Sequence, residues 1–175
     1  MSDSANHLSP REVAALLDST SASVRAEMGA LSDALAGWHP APGEWCAKEV
    51  LGHLIETERR GFAGRIRTIL ASPEPHLPGW DPEAVARDRG DCQRAADDVL
   101  GEFVALRSAS VALVRGLTAA DLARGGLHEQ VGYLRVDDLL HEWVHHDRNH
   151  VRQLLANIQE AVWPHMGNAQ RFAGE

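Results

Sequence analysis

From Arg135 to Val162 the chain reads RVDDLLHEWVHHDRNHVRQLLANIQEAV. No glycine or proline interrupts it. Leu140, Val144, Val151, Leu154 and Ile158 recur at helical spacing and define one apolar direction. Asp137 and Asp138 fall in the first turn, where carboxylates meet the positive end of the helix dipole. Pro164 stops the run. A helix this long, apolar along one stripe only, needs partners to bury that stripe.

The partners lie upstream. Ser9-Pro10-Arg11-Glu12 is a compact helix start, with Ser9 as cap, Pro10 at the first position and Glu12 three residues after the cap. Val13, Leu16, Leu17, Val24, Met28, Leu31 and Leu35 follow, and Gly37 is expected to end this first helix. Pro40, Pro42 and Gly43 make Trp38 to Trp45 a loop. A second helix is expected from near Cys46 to before Pro73, with Val50, Leu51, Leu54, Ile55, Phe62, Ile66 and Ile69 on its stripe. The proline-rich stretch from Pro73 to Pro82 reads as an irregular connection. A third helix is placed at about 83 to 116, with a break near Gly90. Gly116 to Gly132 reads as irregular, apart from a short helical turn at Thr118–Asp121. No segment alternates with period two long enough to form a strand. The expectation is one all-α domain over residues 1–175, a four-helix bundle with a loose tail after about 164.

Bulk properties narrow the function. The formal net charge is −8, which disfavours nucleic acid and anionic membrane surfaces as partners. No run is long and apolar enough to span a bilayer, and the N-terminus lacks the charged and apolar regions of a signal peptide. Cys46 and Cys92 form no C-x-x-C pair, and read as free thiols in a reducing compartment. A soluble cytoplasmic protein is expected, acting on a small molecule.

The chain has ten histidines. His146 and His150 are four apart, so they share one face of the last helix. His141 and His145 have the same spacing. The helical wheel separates the pairs. His146 and His150 flank the apolar stripe beside Leu139 and Trp143, whereas His141 and His145 point towards Asp138 and Arg152, the solvent side. On the second helix Val50, Leu51, Leu54 and Glu58 mark the inner direction, and His53 sits on one flank of it. One histidine from this helix and two from the last make a three-histidine site, which on zinc leaves a fourth position open, as catalytic sites do. Nickel, iron or manganese take the same ligands. The plainer alternative is three half-buried, hydrogen-bonded histidines. Asp147 points along the apolar stripe and needs a partner. It either orients a ligating histidine or makes a structural hydrogen bond to a neighbouring element. Gln153, on the flank of His146, faces the site or is a surface amide. Glu49, Glu56 and Arg60 lie near His53 and read as solvated charges. Trp80 has no assigned place.

Two segments resemble the DinB/YfiT-like superfamily of metal-binding bundle proteins. Glu44-Trp45-Cys46-Ala47-Lys48-Glu49-Val50-Leu51-Gly52-His53-Leu54 is similar to its tryptophan-then-helix signature leading to a histidine. His146-Asp147-Arg148-Asn149-His150-Val151-Arg152-Gln153-Leu154 is similar to its H-D-x-x-H-x-x-Q pattern. The resemblance covers nearly the whole chain. It implies up-down-down-up topology, a divalent transition metal (zinc or nickel foremost) on His53, His146 and His150, and a homodimer. Cys46 departs from the serine or threonine common after the tryptophan, which puts the cap of the second helix in doubt; its thiolate as a fourth ligand lies about two turns from His53.

The resemblance also implies chemistry. Characterised members use low-molecular-weight thiols such as mycothiol or bacillithiol, and include thiol S-transferases and a maleylpyruvate isomerase. A thiol is mostly protonated at neutral pH, and a dication stabilises the nucleophilic thiolate. The expected function is therefore a metal-dependent thiol transferase acting in detoxification or stress. A metal-dependent hydrolase is the second reading, and a non-enzymatic metal-binding stress protein the third.

Overall fold

The computed structural model describes residues 7–173. Ser9 caps α1 (Pro10–Ala30), and Ser9 and Glu12 exchange hydrogen bonds through side chain and backbone. This helix ends earlier than Gly37. Ser32 caps a separate short helix, α2 (Asp33–Ala36), by accepting from Leu35 N–H. The second long helix is not continuous either. It comprises α3 (Ala47–Glu56), a π turn at Thr57–Gly61, and α4 (Phe62–Ala71). At the wide turn Phe62 N–H donates to the Thr57 carbonyl, five residues back.

The third expected helix breaks at Gly90. Its first part is α5 (Pro82–Arg89), capped by Asp81. Gly90 adopts φ +58°, a left-handed conformation that glycine takes without steric cost. A short 3-10 turn (Asp91–Gln93) leads to α6 (Ala96–Arg115). The turn at Ala119–Leu122 is α7, and the last long helix is α8 (Val136–Val162). Beyond it the chain runs in 3-10 turns, Trp163–His165 and Gly167–Phe172.

Strands do occur, against expectation. β1 (His76–Leu77) pairs in parallel with β2 (Gly125–His128), which pairs antiparallel with β3 (Gly132–Arg135). None exceeds four residues, too short for alternation to register in the sequence.

Cross-helix bonds give the directions. Leu8 N–H donates to His141 and Arg148 to the Leu16 carbonyl, so α1 and α8 run the same way. Asn157 donates to the Trp45 carbonyl and Phe62 stacks on Trp143, so α3 and α4 run against α8. Lys48 reaches the Arg94 carbonyl and Arg107 reaches Glu58, so α6 runs with α3. The bundle is up-down-down-up.

Its core is in two parts. Leu17, Phe62, Ile66, Val111, Leu139 and Trp143 belong to one cluster. Val24, Leu51, Leu54, Phe103 and Leu154 belong to the other. Between them lies a charged layer. Arg107, 1 % exposed, donates to Glu58 (1 % exposed) at 2.6 Å and to both carboxylate oxygens of Asp147 (fully buried), the longer bond being 3.1 Å.

The third and second helices approach closely at Gly52. A Cβ there would lie 1.9 Å from the Asp91 carboxylate, which is held by Arg89 at 2.6 and 2.9 Å and by Arg94 at 2.8 Å. Gly52→Ala is therefore expected to lower stability by about 1–3 kcal/mol, as overpacking does, read as a lower urea midpoint at unchanged slope. An unchanged midpoint would show that Asp91 yields freely.

Candidate metal centre

His53 occupies the last turn of α3 before the π turn, and His146 and His150 occupy successive turns of α8. The bundle brings the three rings together. Their ligating nitrogens all lie within 4.8 Å of one another. His53 Nε2 and His146 Nε2 are 3.0 Å apart, and the ring of His150 centres 4.5 Å from His53 and 4.4 Å from His146. All three side chains are partly buried.

Burial drives the electrostatics. His53 is pushed down to about 3 by burial, then by the neighbouring His150 and His146. His146 is likewise lowered to about 3 by burial, then by His150 and Arg107. Burial lowers His150 too, against the opposing pull of Gln153 and Asp147. At neutral pH all three rings are therefore uncharged and keep a lone pair for a cation. His150 Nδ1 lies 2.9 Å from Gln153 Oε1. The amide oxygen only accepts, so Nδ1 carries the proton and Nε2 is the free donor atom. His53 Nδ1 and His146 Nδ1 are buried with no hydrogen-bond partner among the described residues. Three neutral nitrogens at this separation fit a transition-metal dication.

The expected neighbours fall out differently. Gln153 faces the site. Asp147 does not orient a histidine, because both its oxygens take hydrogen bonds from Arg107. Arg107 stays protonated: burial opposes its charge, but Asp147 and Glu58 outweigh it. The layer holds one cation and two carboxylates, and burial raises Glu58 above the ordinary carboxylate range. Sequence reasoning missed Arg107; the one signal was its place on the row Phe103, Arg107, Val111 and Val114 at helical spacing, which shows a buried charge but not its partners.

Glu56 is buried, not solvated, and is bound by Arg89, Arg59 and Arg60. Glu49 accepts from Cys46 N–H at 2.9 Å, which preserves half of the helix cap without a hydroxyl. His145 is exposed as expected, but His141 is half-buried and its Nε2 accepts from Leu8 N–H. Cys46 and Cys92 are not free thiols. They form a disulfide, with Cα atoms 6.9 Å apart. The left-handed turn at Gly90 folds the Asp91–Gln93 segment onto the N-terminus of α3, a proximity that 46 residues of separation conceal in the sequence.

Aromatic side chains wall the site. The Trp45 ring centres 5.2 Å from that of His53, and Trp80 stacks on the same imidazole at 5.6 Å. The small sheet positions Trp80, for β1 pairs with β2 and Gly79 N–H donates to Glu129 at 2.8 Å. A cleft of about 310 Å³ opens beside His150 and Gln153, lined also by Trp45, Glu44 and Glu83.

A sequence profile described as the DinB superfamily matches residues 16–154. This chain belongs to the DinB superfamily. The match contains all three clustered histidines. Among solved structures, YfiT from Bacillus subtilis, described as a probable metal-dependent hydrolase with an unusual four-helix bundle topology, superposes with a TM-score of 0.80 at 18 % identity over 93 % of each chain. The mycothiol-dependent maleylpyruvate isomerase and a histidine-to-alanine mutant of that enzyme superpose at TM-scores of 0.65 and 0.66 with 13 % identity, over 84 % of this chain. This DinB-superfamily chain spans 61 % of the isomerase. No curated protein sequence matches it. These likenesses establish the fold. No helix among the described residues is long and apolar enough to cross a membrane.

Proposed function

We infer that this DinB-superfamily protein is a metal-dependent transferase that activates a low-molecular-weight thiol, of the mycothiol or bacillithiol kind, for attack on a small electrophile. One observation carries the reading: three uncharged imidazoles from two helices converge beside a cleft lined by Trp45, with Trp80 stacked on His53. His53, His146 and His150 would hold a divalent ion, zinc or nickel foremost. A dication on three neutral ligands keeps its full charge and supplies stabilisation to an anionic nucleophile such as a thiolate.

The protein's own groups suit this role. Gln153 fixes the tautomer of His150. Trp45 and Trp80 offer flat apolar faces to an organic electrophile and exclude water. The nearby carboxylates Glu49, Glu56, Glu58 and Asp147 are engaged by a helix end or by arginines. None of these four is free to serve as the general base that activating a water requires, so in the hydrolase reading that role would fall to Glu44 or Glu83 of the cleft. The isomerase's mycothiol dependence is in keeping with a thiol nucleophile. The likeness to YfiT favours a hydrolase instead, the second reading.

The test is an assay of metal-loaded protein with a panel of thiols and electrophiles, beside ester and amide substrates without thiol. Conjugation that needs both metal and thiol supports the transferase. Thiol-independent hydrolysis would replace it with the hydrolase, and neither activity in metal-loaded protein would leave a metal-binding stress protein. Gln153→Leu is expected to weaken metal affinity about 10–100-fold, as loss of a partner behind a ligand does, measured by competition with a chelating dye. Unchanged affinity would remove Gln153 from the site.

A further inference from the structure

A second group of ligating side chains lies at the opposite end of α3 from His53. His39, Cys46, Glu49 and Cys92 each place a ligand atom within 4.8 Å of the others. The residues come from three places in the chain: the loop before α3, the first turn of α3, and the 3-10 turn after α5. The sulfurs of Cys46 and Cys92 are at present joined to each other.

His39 is set up as a ligand. Its Nδ1 lies 2.7 Å from the Glu44 carbonyl, so Nδ1 carries the proton and donates. Nε2 then presents its lone pair, and it faces Cys92 Sγ at 3.5 Å. A backbone carbonyl that fixes the tautomer is what zinc-binding histidines commonly have behind them. Glu49 adds a carboxylate, and Cys46 sits at the N-terminus of α3, where the helix dipole favours a thiolate. Two sulfurs, one imidazole nitrogen and one carboxylate oxygen form a four-ligand set of the kind zinc binds tetrahedrally. A cleft of about 200 Å³ lined by His39, Glu44 and Glu49 gives access from solvent.

We propose that reduction of the Cys46–Cys92 disulfide creates a second zinc site, formed by Cys46, Cys92, His39 and Glu49, so that disulfide and zinc are alternative clamps between the N-terminus of α3 and the Asp91–Gln93 turn. The chemistry balances. Two equivalents of a low-molecular-weight thiol cleave the S–S bond and leave as their own disulfide, giving two protein thiols. Zinc then replaces the two thiol protons, which pass to solvent. In the oxidised form neither sulfur is available as a thiolate, and the site does not form. This site shares no ligand with the three-histidine cluster, so either can fail alone.

The experiment uses cobalt(II) as a spectroscopic substitute for zinc. Only sulfur ligation gives a sulfur-to-cobalt charge-transfer band in the near ultraviolet; the three-histidine cluster cannot. Full-length oxidised protein is expected to show no such band. After reduction with a phosphine and its removal, cobalt beyond the one equivalent that the three-histidine cluster can hold should produce the band, and zinc should abolish it. Cys92→Ser should lose most of the intensity. His39→Ala, an exposed substitution that spares the fold, should weaken cobalt binding by about tenfold or more. Reduced protein giving no sulfur band at excess cobalt would overturn the proposal. So would a band of equal affinity in His39→Ala and Glu49→Ala, because the assigned ligands would then contribute nothing.

Discussion

Arg107→Met is expected to destabilise the protein by about 3–5 kcal/mol, the cost of breaking a buried ion pair from one side. Among the described residues the arginine is the only cation paired with Glu58 and Asp147, and all three are buried. Without it two carboxylates remain in a place closed to water. Each must either stay charged without a partner or take up a proton, and both alternatives disfavour folding. The substitution also removes a bond to the Leu17 carbonyl. Urea unfolding at neutral pH would show the loss. A triple substitution, Glu58→Met, Arg107→Leu and Asp147→Leu, removes every charge and is expected to recover most of it, since apolar side chains of similar volume often replace a buried ionic cluster without penalty. Equal stability of the single variant and the parent would mean that the layer is open to solvent.

The second large effect concerns metal. On the proposed site, His146→Ala is expected to reduce metal affinity by at least about a hundredfold, beyond the range for losing a partner behind a ligand. His146 is the ring that approaches His53 Nε2 at 3.0 Å, so its removal takes away one of three donors and opens the space between α3 and α8. Metal content of untagged protein, beside the triple alanine variant at His53, His146 and His150, reads this directly. A folded triple variant that retains the parent's metal would sink the proposed ligand set. Removing these rings also removes the His150–Gln153 hydrogen bond and the packing of His53 on Trp45 and Trp80, so circular dichroism of the triple variant must accompany the metal assay.

What the sequence reveals depends on what determines each feature. Helical spacing placed His53, His146 and His150 on the flanks of their apolar stripes, and the likeness of the two motifs to the DinB superfamily supplied the expectation that they meet. Ser9 with Glu12, and Pro164, marked helix ends through local chemistry alone. Asp147 was readable as a carboxylate in need of a partner, but naming Arg107 required knowing that α6 runs beside α8 at that level. The Cys46–Cys92 bond, the contact of His141 with Leu8 and the place of Trp80 all depend on loops returning from distant positions. No spacing rule encodes such returns. The three short strands escaped for a different reason: Gly125 and Gly126 have no side chain with which to mark a face.

The π turn was hidden too, since Ile55 and Phe62, the apolar residues on either side of Thr57–Gly61, are seven apart, a spacing that a regular α-helix also gives. A wide turn of this kind holds one residue more than the helix on either side would use. A chain one residue shorter there could run as an unbroken α-helix, with Ala47–Glu56 and Phe62–Ala71 facing as they do here. Among homologues, then, insertions and deletions need not be confined to the connecting loops. One site where loss of a single residue is expected to be absorbed lies within a helix, beginning four residues beyond His53.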